Sequence, residues 1–409
     1  MLRHARTSML YSLLSLALLF AVACGGVAGS AGGTETRRVQ ILLAAQAWNV
    51  SFAPWVVAEE MGYFEEEGIE PDWVMVAGST DVTKQVASGS GMIGAPSPEP
   101  VIIGHQASQG MQIRYFYTLY RRNIYSIAVP ADSPIQTPAD LKGKRIGVTS
   151  MGSAGVINIK AVLKEAGLDP EDATVVAIGE SGQAAAAVQK GEVDALSLWD
   201  AQYAILENQG IELRYLDTPS LLKLPSNSLL ARDEDLEKDP DLFARVARAV
   251  AKGTIFTLEN PDAAVRIVWK RHPDTKPAGM PEEEAFAQAK HVLEARSERL
   301  WLEEGVTQWG YSDPEVYKAF VDFMADQGLI NEPVNPEDLY TNDLLNTIND
   351  FDADAVREQA RNWSGEALNR HGLLDRESAE WRRAFLSRSW GEPLAIDARV
   401  PPVESGYPA

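Results

Sequence analysis

Turn-forming residues recur in this sequence at a nearly constant distance, and that recurrence constrains the fold more than any other feature. Gly68 and Pro71 are matched by Gly167 and Pro170. The glycines at positions 78 and 89 are likewise matched at 179 and 191, so that every offset is about a hundred residues. Between these turns, apolar runs short enough for buried strands alternate with helical patterns. The sequence therefore predicts two similar units of alternating β-strands and α-helices.

The first unit opens with a strand, a loop and a helix. The apolar run Val39–Ala45 predicts a buried strand, and Pro54 suits the first turn of a helix. In open α/β sheets, ligands bind in the loops that follow the carboxyl ends of the strands. We therefore predict ligand contacts from the polar and aromatic residues of this loop, which are Trp48, Asn49, Ser51 and Phe52.

Other predicted strand ends carry the remaining candidate ligand residues. In the first unit these are Ser97, Glu99 and Tyr120. In the second unit they are Ser150, Gly152, Ser153, Trp199 and Asp200. Hydroxyl and carboxylate side chains at the start of a helix also cap it, so capping is an equally good interpretation of the serines, the glutamate and the aspartate.

These candidates favour two different kinds of ligand. Backbone N–H groups and hydroxyls at the start of the helix after Thr149 favour an anion. The aromatic side chains, together with Glu99 and Asp200, favour a flat ring that carries an amine. The sequence alone leaves both ligand classes open.

Composition and motifs exclude several classes of function. A net charge of −21 over 409 residues argues against a nucleic-acid partner, because phosphate contacts require basic patches. The segment Gly89–Gly94 matches GxGxxG formally, but a predicted helix precedes it and a strand follows, which is the reverse of a dinucleotide site. The five histidines lie far apart in sequence and Cys24 is the only cysteine. We therefore predict no cofactor and no metal.

The first residues have the pattern of an export signal. A basic start is followed by the apolar run Met9–Val22, which is too short for a comfortable membrane span. Small residues then lead to Cys24, which resembles the bacterial lipobox. The resemblance implies a signal peptide at residues 1–23 and a lipid on Cys24, at the outer face of the cell membrane or in the periplasm; an ordinary signal peptide is the alternative. Residues 24–37 read as a flexible tether.

The predicted fold class is α/β, with two open sheets flanked by helices and joined by a two-crossover hinge. Lobe I is assigned to residues 38–129 and 218–350, and lobe II to residues 130–217, which places the hinges near residues 130 and 217. A ligand is expected in the cleft between the lobes. Residues 351–409 are expected to form a C-terminal helical extension and tail without an assigned role.

Several segments resemble one protein family, the solute-binding proteins of ABC importers for nitrate, sulfonates and taurine. That family also includes binders of the pyrimidine precursor of thiamine. The segments that carry the resemblance are Pro54–Gly68, Ala139–Val148, Lys190–Leu196, Gly328–Ile330 and Tyr340–Asn342.

The resemblance implies a monomeric, non-enzymatic protein whose lobes close on a small ligand and deliver it to a permease with a cytoplasmic ATPase. A sulfonate, taurine or nitrate-like solute is expected, and a thiamine pyrimidine precursor or similar flat heterocycle is the alternative. A lipid-anchored ligand sensor is another possible class. A pyrimidine-synthesising enzyme of the same fold is disfavoured, because it uses iron and a cysteine-rich motif that this sequence lacks.

Overall fold

The structure is a computed structural model that describes residues 36–365. The predicted signal peptide, Cys24, most of the tether and the tail from residue 366 lie outside the described residues. Two five-stranded sheets contain the strands β1 Arg37–Leu43, β2 Ile69–Met75, β3 Ile93–Ala95, β4 Ile113–Thr118, β5 Tyr125–Pro130, β6 Arg145–Val148, β7 Thr174–Ala177, β8 Ala195–Trp199, β9 Leu213–Tyr215 and β10 Ser228–Arg232.

The helices flank both sheets. They are α1 Ala53–Glu60, α2 Tyr63–Glu66, α3 Ser79–Ala87, α4 Pro98–Gly104, α5 Ala154–Glu165, α6 Gly182–Gln189, α7 Asp200–Asn208, α8 Pro219–Leu222, α9 Asp233–Lys238, α10 Pro240–Glu259, α11 Pro261–Arg271, α12 Glu282–Ser297, α13 Pro314–Asp326, α14 Leu345–Ile348 and α15 Ala353–Arg361. Between residues 36 and 365, no helix is long and apolar enough to span a membrane.

The two sheets have matching strand arrangements. In the first sheet the order is β2-β1-β3-β10-β4, with β1 parallel to β2 and β3 and with β10 antiparallel to its neighbours. In the second the order is β7-β6-β8-β5-β9, with β6 parallel to β7 and β8 and with β5 antiparallel to its neighbours. The predicted fold class, two open sheets with flanking helices, is confirmed. The recurring turns of the sequence correspond to this shared arrangement.

Strand β5 corrects the predicted position of the first crossover. It pairs with β8 and β9 and therefore belongs to the second sheet, in lobe II. The predicted boundary between residues 129 and 130 had placed it in lobe I. The chain therefore crosses between the sheets at residues 119–124 and returns at residues 216–227. The two crossing segments bond to each other, since Tyr120 N donates to Asn227 O (3.2 Å) and Ser226 N donates to Tyr120 O (2.9 Å). The turn at residues 130–133 only ends strand β5. Turn-forming residues in a sequence do not show whether they end a strand or separate two domains.

The C-terminal helices also differ from the predicted division. Val356 and Ala360 of α15 are buried in the main core, and Asn260 Nδ2 donates to Ala360 O (2.8 Å). The helical part of the predicted extension is therefore part of lobe I. Helix α12 contacts α11 and the 3₁₀ turn Val50–Phe52 of lobe I, and it also packs on α7 of lobe II.

Candidate functional site

The carboxyl ends of strands from both sheets meet around a small cavity between the lobes, which we call the interlobe cavity. Three predicted site residues line it, namely Phe52, Tyr120 and Trp199. Residues that were not predicted complete the wall, including Trp55, Tyr125, Asn227 and Arg296. Its volume of about 20 Å³ is enough for about one water molecule. The structure therefore shows the lobes closed upon each other, and an organic ligand enters only when they separate.

Aromatic rings and one ion pair form the walls of the interlobe cavity. The ring of Trp199 meets that of Tyr125 edge to face, with centroids 6.1 Å apart. The Arg296 guanidinium lies over the ring of Tyr120, 4.4 Å from its centroid. Arg296 Nε donates to both carboxylate oxygens of Asp200 at 3.0 Å, and Nη2 donates to Oδ1 at 2.6 Å. The positive charge of Arg296 is thus neutralised by Asp200 before any ligand arrives.

Glu99 is a buried carboxyl group without a cationic partner among the described residues. It lies in the first turn of α4, after Ser97, and is 2% exposed. Burial raises the pKa of Glu99, and neighbouring polar groups, among them the side chain of Asn158, oppose the shift only in part. Since Asn158 lies on α5 of lobe II, the carboxyl group is at the junction of the two lobes. A carboxyl group held towards its neutral form can both donate and accept a hydrogen bond.

Buried polar atoms without partners are concentrated at the strand ends that face the cleft. Within residues 36–365, six such atoms lie on segments that follow β1, β3, β6 and β8: Ser51 Oγ, Trp55 Nε1, Ser97 Oγ, Glu99 Oε2, Thr149 Oγ1 and Gln202 Nε2. Buried polar groups in folded proteins nearly always have a partner. Of these six atoms, Trp55 Nε1 belongs to a residue that lines the interlobe cavity. The other five lie on the segments after the strands, three in lobe I and two in lobe II.

Two of the predicted site residues instead hold the edge of the cleft shut. Ser150 Oγ donates to Ala77 O (2.6 Å), and Gly152 O accepts from Thr80 N (3.1 Å). A Cβ placed on Gly78 would lie 2.3 Å from the carbonyl carbon of Gly152, so the backbones touch directly. Ser150 and Gly152 therefore contact the opposite lobe and do not line the interlobe cavity.

Hydrogen bonds from Gln46 also join the two lobes. Gln46 N, in lobe I, donates to Glu180 Oε1 of lobe II (3.0 Å), and Gln46 Nε2 donates to Thr149 O (3.3 Å). Burial raises the pKa of Glu180 to about 7, while the bond from Gln46 N opposes the shift. The next residue, Ser181, has φ 51°, a conformation that non-glycine residues rarely adopt.

Capping accounts for part of the remaining predictions. Ser153 Oγ accepts from Gly155 N (3.1 Å) at the start of α5 and lies 3.4 Å from Tyr125 Oη. Asn49 Oδ1 accepts from Ser51 N (3.0 Å) and so caps the turn Val50–Phe52. These bonds fix both side chains, and neither residue lines the interlobe cavity.

Trp48 lies in a larger cavity next to the interlobe cavity. Its ring stacks on His272 at a centroid distance of 4.4 Å, and this neighbouring cavity has a volume of about 320 Å³. Ala289 and Val292 of α12 line it, whereas Arg296, one turn further along the same helix, lines the interlobe cavity. The two spaces thus follow one another along α12.

Sequence reasoning missed Arg296 and Asn227, although a signal was present for each. Arg296 falls on the apolar stripe of α12, in register with Ala289 and Val292. A charged residue on a buried stripe usually has a partner or a function. Asn227 precedes β10, whose short apolar run Ser228–Ala231 fits a buried strand but was not assigned.

No group of three or more His, Cys, Asp or Glu side chains between residues 36 and 365 is arranged to hold a metal ion. The site as described offers hydrogen-bond donors and acceptors, aromatic faces and a neutralised ion pair. These groups can bind and orient a flat polar molecule.

The sequence is similar to those of binding proteins and of a biosynthetic enzyme. The riboflavin-binding protein RibY of Chloroflexus aurantiacus is 27% identical over 304 residues, which cover 73% of this chain and 83% of RibY. The formylaminopyrimidine-binding protein of Halalkalibacterium halodurans is 25% identical over 340 residues, covering 80% of this chain and 96% of the relative. A yeast 4-amino-5-hydroxymethyl-2-methylpyrimidine phosphate synthase, THI5 of Saccharomyces cerevisiae, is 26% identical over 241 residues, covering 55% of this chain and 67% of the synthase.

Solved structures share the fold. The alkanesulfonate-binding protein SsuA of Xanthomonas axonopodis pv. citri, bound to MOPS, superposes with a TM-score of 0.57 at 20% identity, covering 74% of this chain and 98% of SsuA. At this identity the likeness concerns the two-lobed fold alone. The model of the family described as "NMT1/THI5 like" matches residues 49–264, which is more than half of the chain and includes nearly all of the strand ends described above. The chain therefore belongs to the NMT1/THI5-like family.

Proposed function

We propose that this protein is the extracytoplasmic substrate-binding protein of an ABC importer and that it captures a small flat heterocycle bearing an amine. The observation that carries the proposal is the chemistry of the interlobe cavity. Its buried cation is already paired with Asp200, and Trp55 Nε1 on its wall has no partner among the described residues, while the buried Glu99 carboxyl group lies at the junction of the lobes. An uncharged ring with N–H groups and ring nitrogens fits this set better than an anion, which would need a free positive charge.

The aromatic side chains support the same ligand class. Opening of the lobes would expose the faces of Phe52, Tyr120 and Trp199 at one cavity. A flat ring stacked on such a face gains about 0.5–1.5 kcal/mol beyond the burial of its area. Two of the relatives are named for the binding of riboflavin and of formylaminopyrimidine, both of which are flat nitrogen heterocycles.

The sulfonate, taurine or nitrate-like solute predicted from the sequence is the less favoured alternative. The turn that was expected to bind an anion, residues 150–153, is engaged in contacts with lobe I at Ser150 and Gly152. An anion at this place would have to replace those contacts when the lobes close.

Membrane attachment, location and partners belong to the same proposal. We infer that Cys24 carries a lipid, that the protein works as a monomer at the outer face of the cell membrane or in the periplasm, and that its closed form docks on a permease. A Cys24→Ser variant tests the anchor, since fractionation should then move the protein from the membrane to the soluble exported fraction. Retention of that variant on the membrane would contradict lipid anchoring.

A ligand screen tests the substrate class. Riboflavin, formylaminopyrimidine, taurine and an alkanesulfonate are compared by thermal shift and then by calorimetry on the mature protein. We expect one of the two heterocycles to bind with micromolar affinity or better, which corresponds to about −8 kcal/mol, and to be recovered unchanged. Binding of only the sulfonates would overturn the heterocycle proposal, and conversion of a heterocycle with added iron would indicate an enzyme.

A further inference from the structure

A cavity of about 430 Å³ lies outside the cleft, between lobe II and helix α12. We call it the outer cavity. Its walls come from α7, from the return segment after β9 and from α12. Asp200 lines it, whereas Arg296, the ion-pair partner of Asp200, lines the interlobe cavity. This ion pair therefore forms part of the partition between the two spaces.

The outer cavity combines an acidic rim with an apolar wall. The side chains of Glu207, Glu294 and Glu298 line it besides Asp200, and the basic groups are Arg299 and His291. Asp200 pairs with Arg296, Glu298 with Arg299, and Glu207 lies beside His291, whereas Glu294 has no basic partner in residues 36–365. Tyr215 and Leu222 are 48% and 40% exposed and supply the apolar part of the wall, and Tyr215 Oη donates to Glu207 Oε1 (3.0 Å). The carboxylates are not arranged as a metal site anywhere in residues 36–365. Negative charge beside an exposed tyrosine ring favours an organic cation, which can also interact with the ring face.

Two residues that line the outer cavity carry a buried donor atom without a hydrogen-bond partner within the described part of the chain. Thr218 is 2% exposed and its Oγ1 atom is unpaired. Arg299 Nε is also unpaired, and lies 3.8 Å from Asp200 Oδ2. Both atoms belong to residues that line the outer cavity. Unpaired buried donors call for an acceptor oxygen on the guest, because leaving them unpaired costs free energy.

We propose that the outer cavity is a second binding site, for a small molecule that carries an ammonium group and an acceptor oxygen on an apolar body, as an aromatic amino acid does. The ammonium group pairs with the Glu294 carboxylate and approaches Glu207, whose Oε1 atom accepts from Tyr215 Oη (3.0 Å) and whose Oε2 atom lies 3.4 Å from His291 Nε2. The acceptor oxygen takes the hydrogen bonds of Thr218 Oγ1 and Arg299 Nε. The apolar body rests on Tyr215 and Leu222. A volume of about 430 Å³ is within the usual size range of small-molecule sites.

Calorimetry with three matched probes tests the proposal on the full-length protein. The probes are L-phenylalanine, phenethylamine, which lacks the carboxylate, and 3-phenylpropionate, which lacks the ammonium group. We expect phenylalanine to bind at least about tenfold more tightly than either truncated probe, because each loses one set of charge-assisted bonds. Equal binding of all three probes, or none at millimolar concentration, would overturn the assignment.

Substitutions then locate the binding. Glu294→Gln and Thr218→Val should each weaken phenylalanine binding by about fivefold. Glu283→Gln, on the same helix but away from the cavity, is the matched control and should leave the affinity unchanged. Glu99→Gln should also leave it unchanged, because Glu99 lies in the first turn of α4 and does not line the outer cavity; loss of phenylalanine binding in that variant would place the probe at the junction of the lobes and refute an outer site.

Discussion

Glu99 is the residue whose burial is hardest to explain without a ligand. Burying a carboxyl group without a cation or a full set of hydrogen bonds is costly. Its Oε2 atom has no partner between residues 36 and 365, and its pKa is raised by burial. A buried ionisable group with a shifted pKa is typical of functional sites. In the proposed function this carboxyl group recognises the N–H groups of the heterocycle.

Replacement of Glu99 by Gln separates its role in binding from its role in stability. We expect Glu99→Gln to weaken ligand binding about tenfold or more, because the amide cannot provide the same acceptor and donor pattern. Stability should stay the same or rise, since a buried ionisable group is removed. Calorimetry and urea denaturation measure the two effects, with the exposed Glu283→Gln as control. Unchanged affinity would remove Glu99 from the site.

Gly78 is a steric probe of lobe closure. Its backbone is extended, with φ 175°, so alanine is tolerated there without strain. The added Cβ would lie 2.3 Å from the Gly152 carbonyl carbon on the other lobe. We expect Gly78→Ala to hold the lobes apart, which X-ray scattering would show as a larger radius of gyration, and to lower ligand affinity.

Gly182 is the matched control for this substitution. It lies at the start of α6, and a Cβ there would meet nothing within 4 Å. Gly182→Ala should leave both the scattering curve and the affinity unchanged. If Gly78→Ala behaved in the same way, the contact between Gly78 and Gly152 would not determine closure.

At the scale of elements, helix α12 connects the lobes. It packs on α7 of lobe II and on α11 of lobe I, and it carries the Arg296 partner of Asp200. Both side chains of this pair are at most 5% exposed. A buried ion pair contributes little net stability but is costly to break on one side, because the remaining charge stays buried.

Because the ion pair is buried, we expect a single substitution to lower the free energy of unfolding more than a double substitution that removes both charges. Arg296→Met should destabilise the protein by about 3–5 kcal/mol, because Asp200 then keeps its charge with only the more distant Arg299 nearby. Adding Asp200→Asn should recover a large part of that loss. Urea denaturation of the two variants measures the difference. An equal or greater loss in the double variant would mean that packing, and not charge, dominates.

At the scale of the whole molecule, closure buries the Glu180 carboxyl group against Gln46. The folded, closed protein holds the pKa of Glu180 at about 7, above its ordinary value of 4.5. Between these values the closed form binds more protons than the open or unfolded form. Its stability is therefore greatest below about pH 4.5 with respect to this group and decreases as the pH rises through 7. Glu99 contributes with the same sign.

Glu180→Gln should flatten this part of the pH dependence. The amide oxygen can still accept the bond from Gln46 N, so closure itself is retained. We expect ligand affinity of the wild type to decrease between pH 5 and pH 7.5 more steeply than that of the variant. Affinities from calorimetry at both pH values give the comparison, and parallel curves would show that Glu180 does not titrate on closure.

Much of the fold could be predicted from local sequence signals. The turns near Gly68 and Gly167 and the apolar runs between them predicted two similar α/β units, because glycine and proline limit where a strand or helix can continue. The helix predicted from Pro54 was also found, although Gly62, with φ 79°, divides it into α1 and α2. Strand β10 has a local signal, the apolar run Ser228–Ala231, but its place between β3 and β4 was not predicted, and neither was the sheet membership of β5. Pairing with a distant strand leaves no local pattern.

The sequence by itself determined which residues follow strands and are therefore candidates for ligand contact. Only the tertiary structure decided how they are used: Phe52 and Trp199 line the interlobe cavity, Ser150 holds its edge shut, and Asp200 is neutralised by Arg296, 96 residues away. The physical reason is range. Helix, strand and turn preferences act over a few neighbouring residues, whereas burial, ion pairing and the shape of a cleft depend on segments that meet only when both lobes have folded.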